Sequence, residues 1–132
     1  MKDQAGQQNL DSRPRAIGLV RGEVSGLAAP RHALAVQRHA VGLGCQYLYT
    51  VRPPQDHDDP VGYALGMAAG LSADVVVVYD LATVNDSPAR VCDMFDLETV
   101  NPPETWTRVH ESGPDAESVR SAACAAGNRV AR

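Results

Sequence analysis

A chain of 132 residues has room for one hydrophobic core rather than two. Its composition, 44% hydrophobic but with one Trp, one Phe and four Tyr, suits slender Ala-rich helices packed on a Val-rich sheet. A net charge of -4 without any basic run excludes a broad nucleic-acid footprint, which needs clustered Arg and Lys to neutralise phosphates. No segment approaches the ~18 apolar residues of a membrane span, and Cys45, Cys92 and Cys124 follow neither a disulfide nor a zinc-ligand spacing. The expectation is a cytoplasmic protein with reduced thiols, no membrane association and no cofactor.

Residues 1–15, from Met1 to Arg15, are polar and Gln-rich and are expected to form a flexible arm. The α/β domain is expected over 16–109. Ala16 to Arg21 reads as a first strand, with Gly22-Glu23-Val24-Ser25-Gly26 as a glycine-bounded loop after it. Pro30 to Leu43 reads as an amphipathic helix that Gly44 closes in a left-handed cap. Gln46 to Val51 is the second strand. Asp59-Pro60 then carries the signature of a helix start, an N-cap followed by Pro at the first helical position, and Val61, Leu65 and Ala68 share one face beyond it.

Ala73-Asp74-Val75-Val76-Val77-Val78-Tyr79-Asp80 is the clearest signal in the chain. Four consecutive β-branched residues bounded by polar ones describe a strand buried on both faces, as in a parallel sheet covered by helices. Ser87-Pro88 repeats the helix-start signal, and Val91, Met94 and Phe95 are expected to point inward while Asp93 and Asp96 face water. Thr105 to Val109 reads as a fourth strand, and residues 110–132 as a C-terminal helix or tail, helical from Pro114 to Ala131. The order β-α-β-α-β-α-β-α predicts a three-layer α/β sandwich with a mostly parallel sheet of about four strands.

Ile17-Gly18-Leu19-Val20-Arg21 with Val24-Ser25 after it, Gln37, Asp59-Pro60, and Val75 to Asp80 before Ser87 together resemble the catalytic domain of serine resolvases and invertases, over roughly Ala16 to Val109. In that family a serine attacks a DNA phosphate while arginines neutralise it, so the resemblance implies Ser25 as nucleophile and Arg21 as its companion. Here three residues separate Arg21 from Ser25, where the family has one. The family's Asp-Arg-Leu-x-Arg-Ser after the third strand is replaced by Asp80-Leu81-Ala82-Thr83-Val84-Asn85-Asp86-Ser87, with both phosphate-clamping arginines absent. His110 to Arg132 is too short and Ala-rich for the family's long helix plus helix-turn-helix, so a DNA-reading module is not expected within it.

These readings imply a non-catalytic, resolvase-like interaction or regulatory module that pairs with itself or with another protein and binds DNA weakly or not at all. Two alternatives belong to other classes: recombinase-type cleavage and rejoining through Ser25, or binding of a small ligand or nucleotide in the strand-end crevice. Arg21, Glu23, Ser25, Arg52, Asp80, Thr83 and Asn85 all fall at strand carboxyl ends, where such a ligand would sit. No sequence-local base stands beside Ser25, and the bland reading makes it a turn or cap residue. Asp56-His57-Asp58-Asp59 has metal-binding residue types, but adjacent loop residues seldom face one point and Asp59 is claimed as a cap, so no metal site is expected. Asp80 resembles the phospho-acceptor of response-regulator receivers, yet Arg21-Gly22-Glu23 stands where an acidic pair would hold magnesium. Gly18, Gly22 and Gly26 do not match the dinucleotide fingerprint and are read as turn and packing residues.

Overall fold

The computed structural model describes residues 12–109, and its centre is a five-stranded sheet in the order β2-β1-β3-β4-β5. Strands β1 (Arg15–Leu19), β2 (Gln46–Val51), β3 (Val75–Val78) and β4 (Asp96–Thr99) run parallel. Strand β5 (Glu104–Trp106) returns antiparallel to β4. Helices α1 (Gly22–Ser25), α2 (Ala29–Gly42), α3 (Pro60–Gly70) and α4 (Pro88–Cys92) connect them, with 3-10 turns at Gly26–Ala28 and Leu81–Val84.

The valine run occupies the interior position its composition demands. β3 lies between β1 and β4, and its four residues are at most 6% exposed, so both of its faces are covered. Val75 and Val77 pack with Ala16, Val36 and Ala40 beneath α2, whereas Val76 and Val78 join Val61, Ala64, Ala68, Val91 and Phe95 beneath α3 and α4. Gly18 permits the first of these layers, since a Cβ there would lie 2.6 Å from Val36 Cγ1 and collide with the Tyr47 hydroxyl. Helix α3 begins as its residues dictate, with Asp59 accepting the Gly62 N–H at 3.1 Å and Pro60 at the first helical position. Gly44, at φ +86°, follows α2 in the left-handed conformation that its lack of a side chain allows.

Four expectations are corrected. The glycine-bounded loop after β1 is helical, because the Ser25 N–H closes a turn on the Arg21 carbonyl at 2.8 Å. Helix α4 ends at Cys92, leaving Met94 51% exposed, and Asp96 opens β4 instead of facing water from a helix. Asp-Leu-Glu-Thr is a poor strand by composition, yet pairing with β3 and burial of Leu97 and Thr99 override propensity. The strand expected at Thr105 to Val109 is the short hairpin partner β5, and the sheet therefore has five strands with one antiparallel edge. The helix expected from Pro114 to Ala131 and most of the arm expected over residues 1–15 lie outside the described residues.

Candidate functional site

Connections from β1 lead outward to β2 and then back across to β3, so the sheet changes direction between β1 and β3. In doubly wound sheets of this strand order, the crevice at the carboxyl ends of those two strands is the ligand position. Arg21, two residues past β1, reaches across it. Its Nη1 donates to the Thr83 carbonyl at 3.0 Å and to Asn85 Oδ1 at 2.8 Å. Its Nε and Nη2 donate to Glu23 Oε2 at 3.2 and 3.1 Å.

Arg21 is only 8% exposed, so the bonds it makes are the substitute for its hydration. Asn85 and Asp86 both adopt left-handed backbone, at φ +57° and +56°, a conformation that Asn and Asp tolerate better than other side-chain-bearing residues. Thr83 also donates its hydroxyl toward Asp80 Oδ1, at 3.5 Å. The Glu23 carboxyl is held below its ordinary range chiefly by its own backbone N–H, which outweighs the opposing effect of burial, with the Arg21 hydrogen bond and charge adding to the lowering.

Arg21, Glu23, Thr83 and Asn85 are thus brought together, with Asp80 attached through Thr83. Arg52 is not: it is exposed beyond the end of β2 and does not join this network. Ser25 belongs to a neighbouring cluster. Its Oγ lies 2.8 Å from Nδ1 of His32 on the first turn of α2, and the His32 ring stacks on Tyr79, with centroids 3.7 Å apart and planes 10° from parallel. Neither His32 nor Tyr79 stood out in the sequence. A seven-residue separation across a loop and helix start carries no contact signal unless Gly22–Ser25 is recognised as a helical turn.

The remaining candidates have structural employment. Arg90, on α4, forms a two-pronged ion pair with Asp59, whose carboxylate also caps α3. Asp59 is accordingly lowered to about 2, mainly by the Arg90 hydrogen bonds and then by the Gly62 N–H. His57 Nδ1 accepts the Asp59 N–H at 2.9 Å. Among the described residues no group of three or more His, Cys, Asp and Glu side chains is placed to hold a metal ion, and no helix is long and apolar enough to cross a membrane.

Two solved structures share this architecture. The N-terminal catalytic domain of TP901-1 integrase superposes with a TM-score of 0.56 at 14% identity, covering 88% of this chain and 95% of that one. A resolvase family site-specific recombinase from Streptococcus pneumoniae gives 0.54 at 12% identity, covering 89% and 90%. The sequence itself matches no family model and no curated protein. The fold is therefore that of these two recombinase structures, an α/β architecture with a mostly parallel sheet. At such low identity it is the architecture that is shared.

Proposed function

We propose that this chain is a resolvase-like domain without strand-cleaving chemistry, serving as an interaction or regulatory module that pairs with a second copy or with another protein. The observation that carries the reading is the state of Arg21. The arginine at the switch crevice spends its donors on Glu23, Thr83 and Asn85 of its own chain, where a recombinase would aim them at phosphate.

The two other arginines that could stand in for the lost clamp do not supply it. Arg90 is tied to Asp59, and Arg52 is exposed beyond the end of β2, outside the Arg21 network. Glu23, Asp80 and Asp86 meanwhile give the crevice carboxylates, which repel a phosphodiester. Losing one preorganised donor costs roughly 3 to 4 kcal/mol of transition-state stabilisation, so losing the pair removes useful cleavage.

An interaction role is supported by apolar surface on α2. Leu34 and Val41, seven residues apart and therefore on one side of the helix, are 47% and 57% exposed, and Leu27 is fully exposed just before them.

A DNA suicide substrate tests the chemistry. No covalent protein–DNA adduct is expected, and an adduct that disappears in Ser25→Ala would overturn the reading. Sedimentation tests pairing: a dimer is expected at micromolar concentration, shifting toward monomer when Leu34 and Val41 are both replaced by Glu. A full-length protein that stays monomeric removes the self-pairing part of the reading.

A further inference from the structure

Ser25 and His32 form a pair that has no use in the reading above. A serine within a helical turn often returns its hydroxyl to a carbonyl one turn back. Here the Ser25 N–H takes the Arg21 carbonyl at 2.8 Å, while the hydroxyl lies 2.8 Å from an imidazole nitrogen. That is the separation of a serine nucleophile from its general base. The imidazole is in turn held by a third group, the Tyr79 ring stacked on it at 3.7 Å. Ser25 and His32 are both half-buried, so the pair is ordered and still reachable.

The surrounding charges select the electrophile. Arg21 is neutralised by Glu23 at 3.1 Å, and the neighbouring loop contributes Asp80 and Asp86, so an anionic phosphoryl group meets repulsion. A neutral carbonyl meets none. On either side of Ser25 in the chain, Val24 is 37% exposed and Leu27 fully exposed, an apolar surface against which an acyl chain can lie.

We propose that Ser25, with His32 as its base, accepts acyl groups from neutral activated esters. The Ser25 Oγ forms a bond to the carbonyl carbon as its proton passes to His32 Nδ1. The bond from that carbon to the leaving oxygen breaks, and the departing oxygen takes the proton from His32. Ser25 is left as an ester and the imidazole neutral, with no further reactant consumed.

The full chain treated with p-nitrophenyl acetate provides the test, read by nitrophenolate release and by peptide mass mapping. One acetyl group is expected on Ser25, and none at that position in Ser25→Ala. His32→Gln retains a hydrogen-bonding side chain but no base, and acylation should slow by about a hundredfold or more. Equal rates in the two proteins, or acetyl groups confined to Lys2 and the cysteines, would overturn the proposal. Should His32→Gln not fold, the wild-type chain decides with a neutral alkyl fluorophosphonate: label on Ser25 supports the pair, and label only elsewhere overturns it. Acylation and strand cleavage are read on different substrates, so the failure of one leaves the other standing.

Discussion

Arg21 shows how a single side chain can be converted from a functional group into a structural one. A guanidinium offers five N–H donors in a rigid fork, and the carbonyl of Thr83, Oδ1 of Asn85 and the carboxylate of Glu23 together engage its three nitrogens. Because Arg21 is nearly buried, removing it takes this donor from the buried Thr83 carbonyl, whereas the exposed Asn85 can turn to water. Arg21→Gln should therefore lower the unfolding free energy by about 1 to 3 kcal/mol in urea denaturation. Arg21→Lys should recover only part, since an ammonium keeps the charge but not the fork. Arg52→Gln, on an exposed residue outside the network, should stay within about 0.5 kcal/mol of wild type. Equal losses at both arginines would remove the distinction between them.

Among the elements, α3 and α4 are fixed to one another by Asp59, which caps the first and binds Arg90 of the second. Its carboxyl titrates near 2 in the folded chain, against 3.8 for the free group. Between those values the unfolded chain binds more protons than the folded one, so stability rises with pH across that window. This contribution is fully present above about pH 4 and is lost as pH falls through about 2. Asp59→Asn should flatten the acid limb of the stability profile there, and added salt should flatten it in the wild type because the pair is exposed. An unchanged acid limb in Asp59→Asn would show that the pair contributes nothing. Glu98 on β4 has the opposite sign: burial raises its pKa, against the Thr105 hydroxyl and the nearby His39. At 3.6 Å the His39 contact is too long for a hydrogen bond. Any contribution from Glu98 is present below its unfolded pKa and is lost as pH rises through the folded one.

These elements differ in how far the sequence announced them. Pro at the first helical position marked α3 and α4, and β2 was legible to the residue from its aromatic and β-branched run. β4 was not, because Asp96 and Glu98 alternate with Leu97 and Thr99 in a stretch that reads as the end of an acidic helix, and only the neighbouring β3 makes it a strand. In the site, Arg21, Glu23, Thr83 and Asn85 were predictable as strand-end neighbours, since topology alone gathers them. His32 and Tyr79 were not, because the approach of His32 to Ser25, and with it the stacking of Tyr79 on His32, depends on the helical turn at Gly22–Ser25 that two glycines disguised as a loop.

For the molecule as a whole, β3 is the element through which both halves of the core are joined. Val77 is fully buried in the layer beneath α2, while its neighbours Val76 and Val78 are fully buried in the opposite layer, and β1 and β4 pair with the same four residues. A change at Val77 therefore cannot be absorbed at an edge or relaxed into solvent. Val77→Ala removes two methyl groups and leaves a small cavity, and should cost about 2 kcal/mol while the protein remains folded. Val77→Asp places a carboxylate where the described packing is apolar: Ala16, Val36, Ala40, Cys45 and Val75. Tyr47, which packs against that cluster, already has its hydroxyl on Thr50 at 2.6 Å, and Glu98, paired with Val77 on β4, is itself a carboxylate, so the group must stay protonated or the layer must open, a cost of several kcal/mol against a total stability of roughly 5 to 15. Expression of the two variants side by side should give soluble, cooperatively unfolding Val77→Ala and insoluble or unfolded Val77→Asp. A soluble Val77→Asp with a native circular dichroism spectrum would mean that β3 is not covered on both faces, and the three-layer architecture would fall with it.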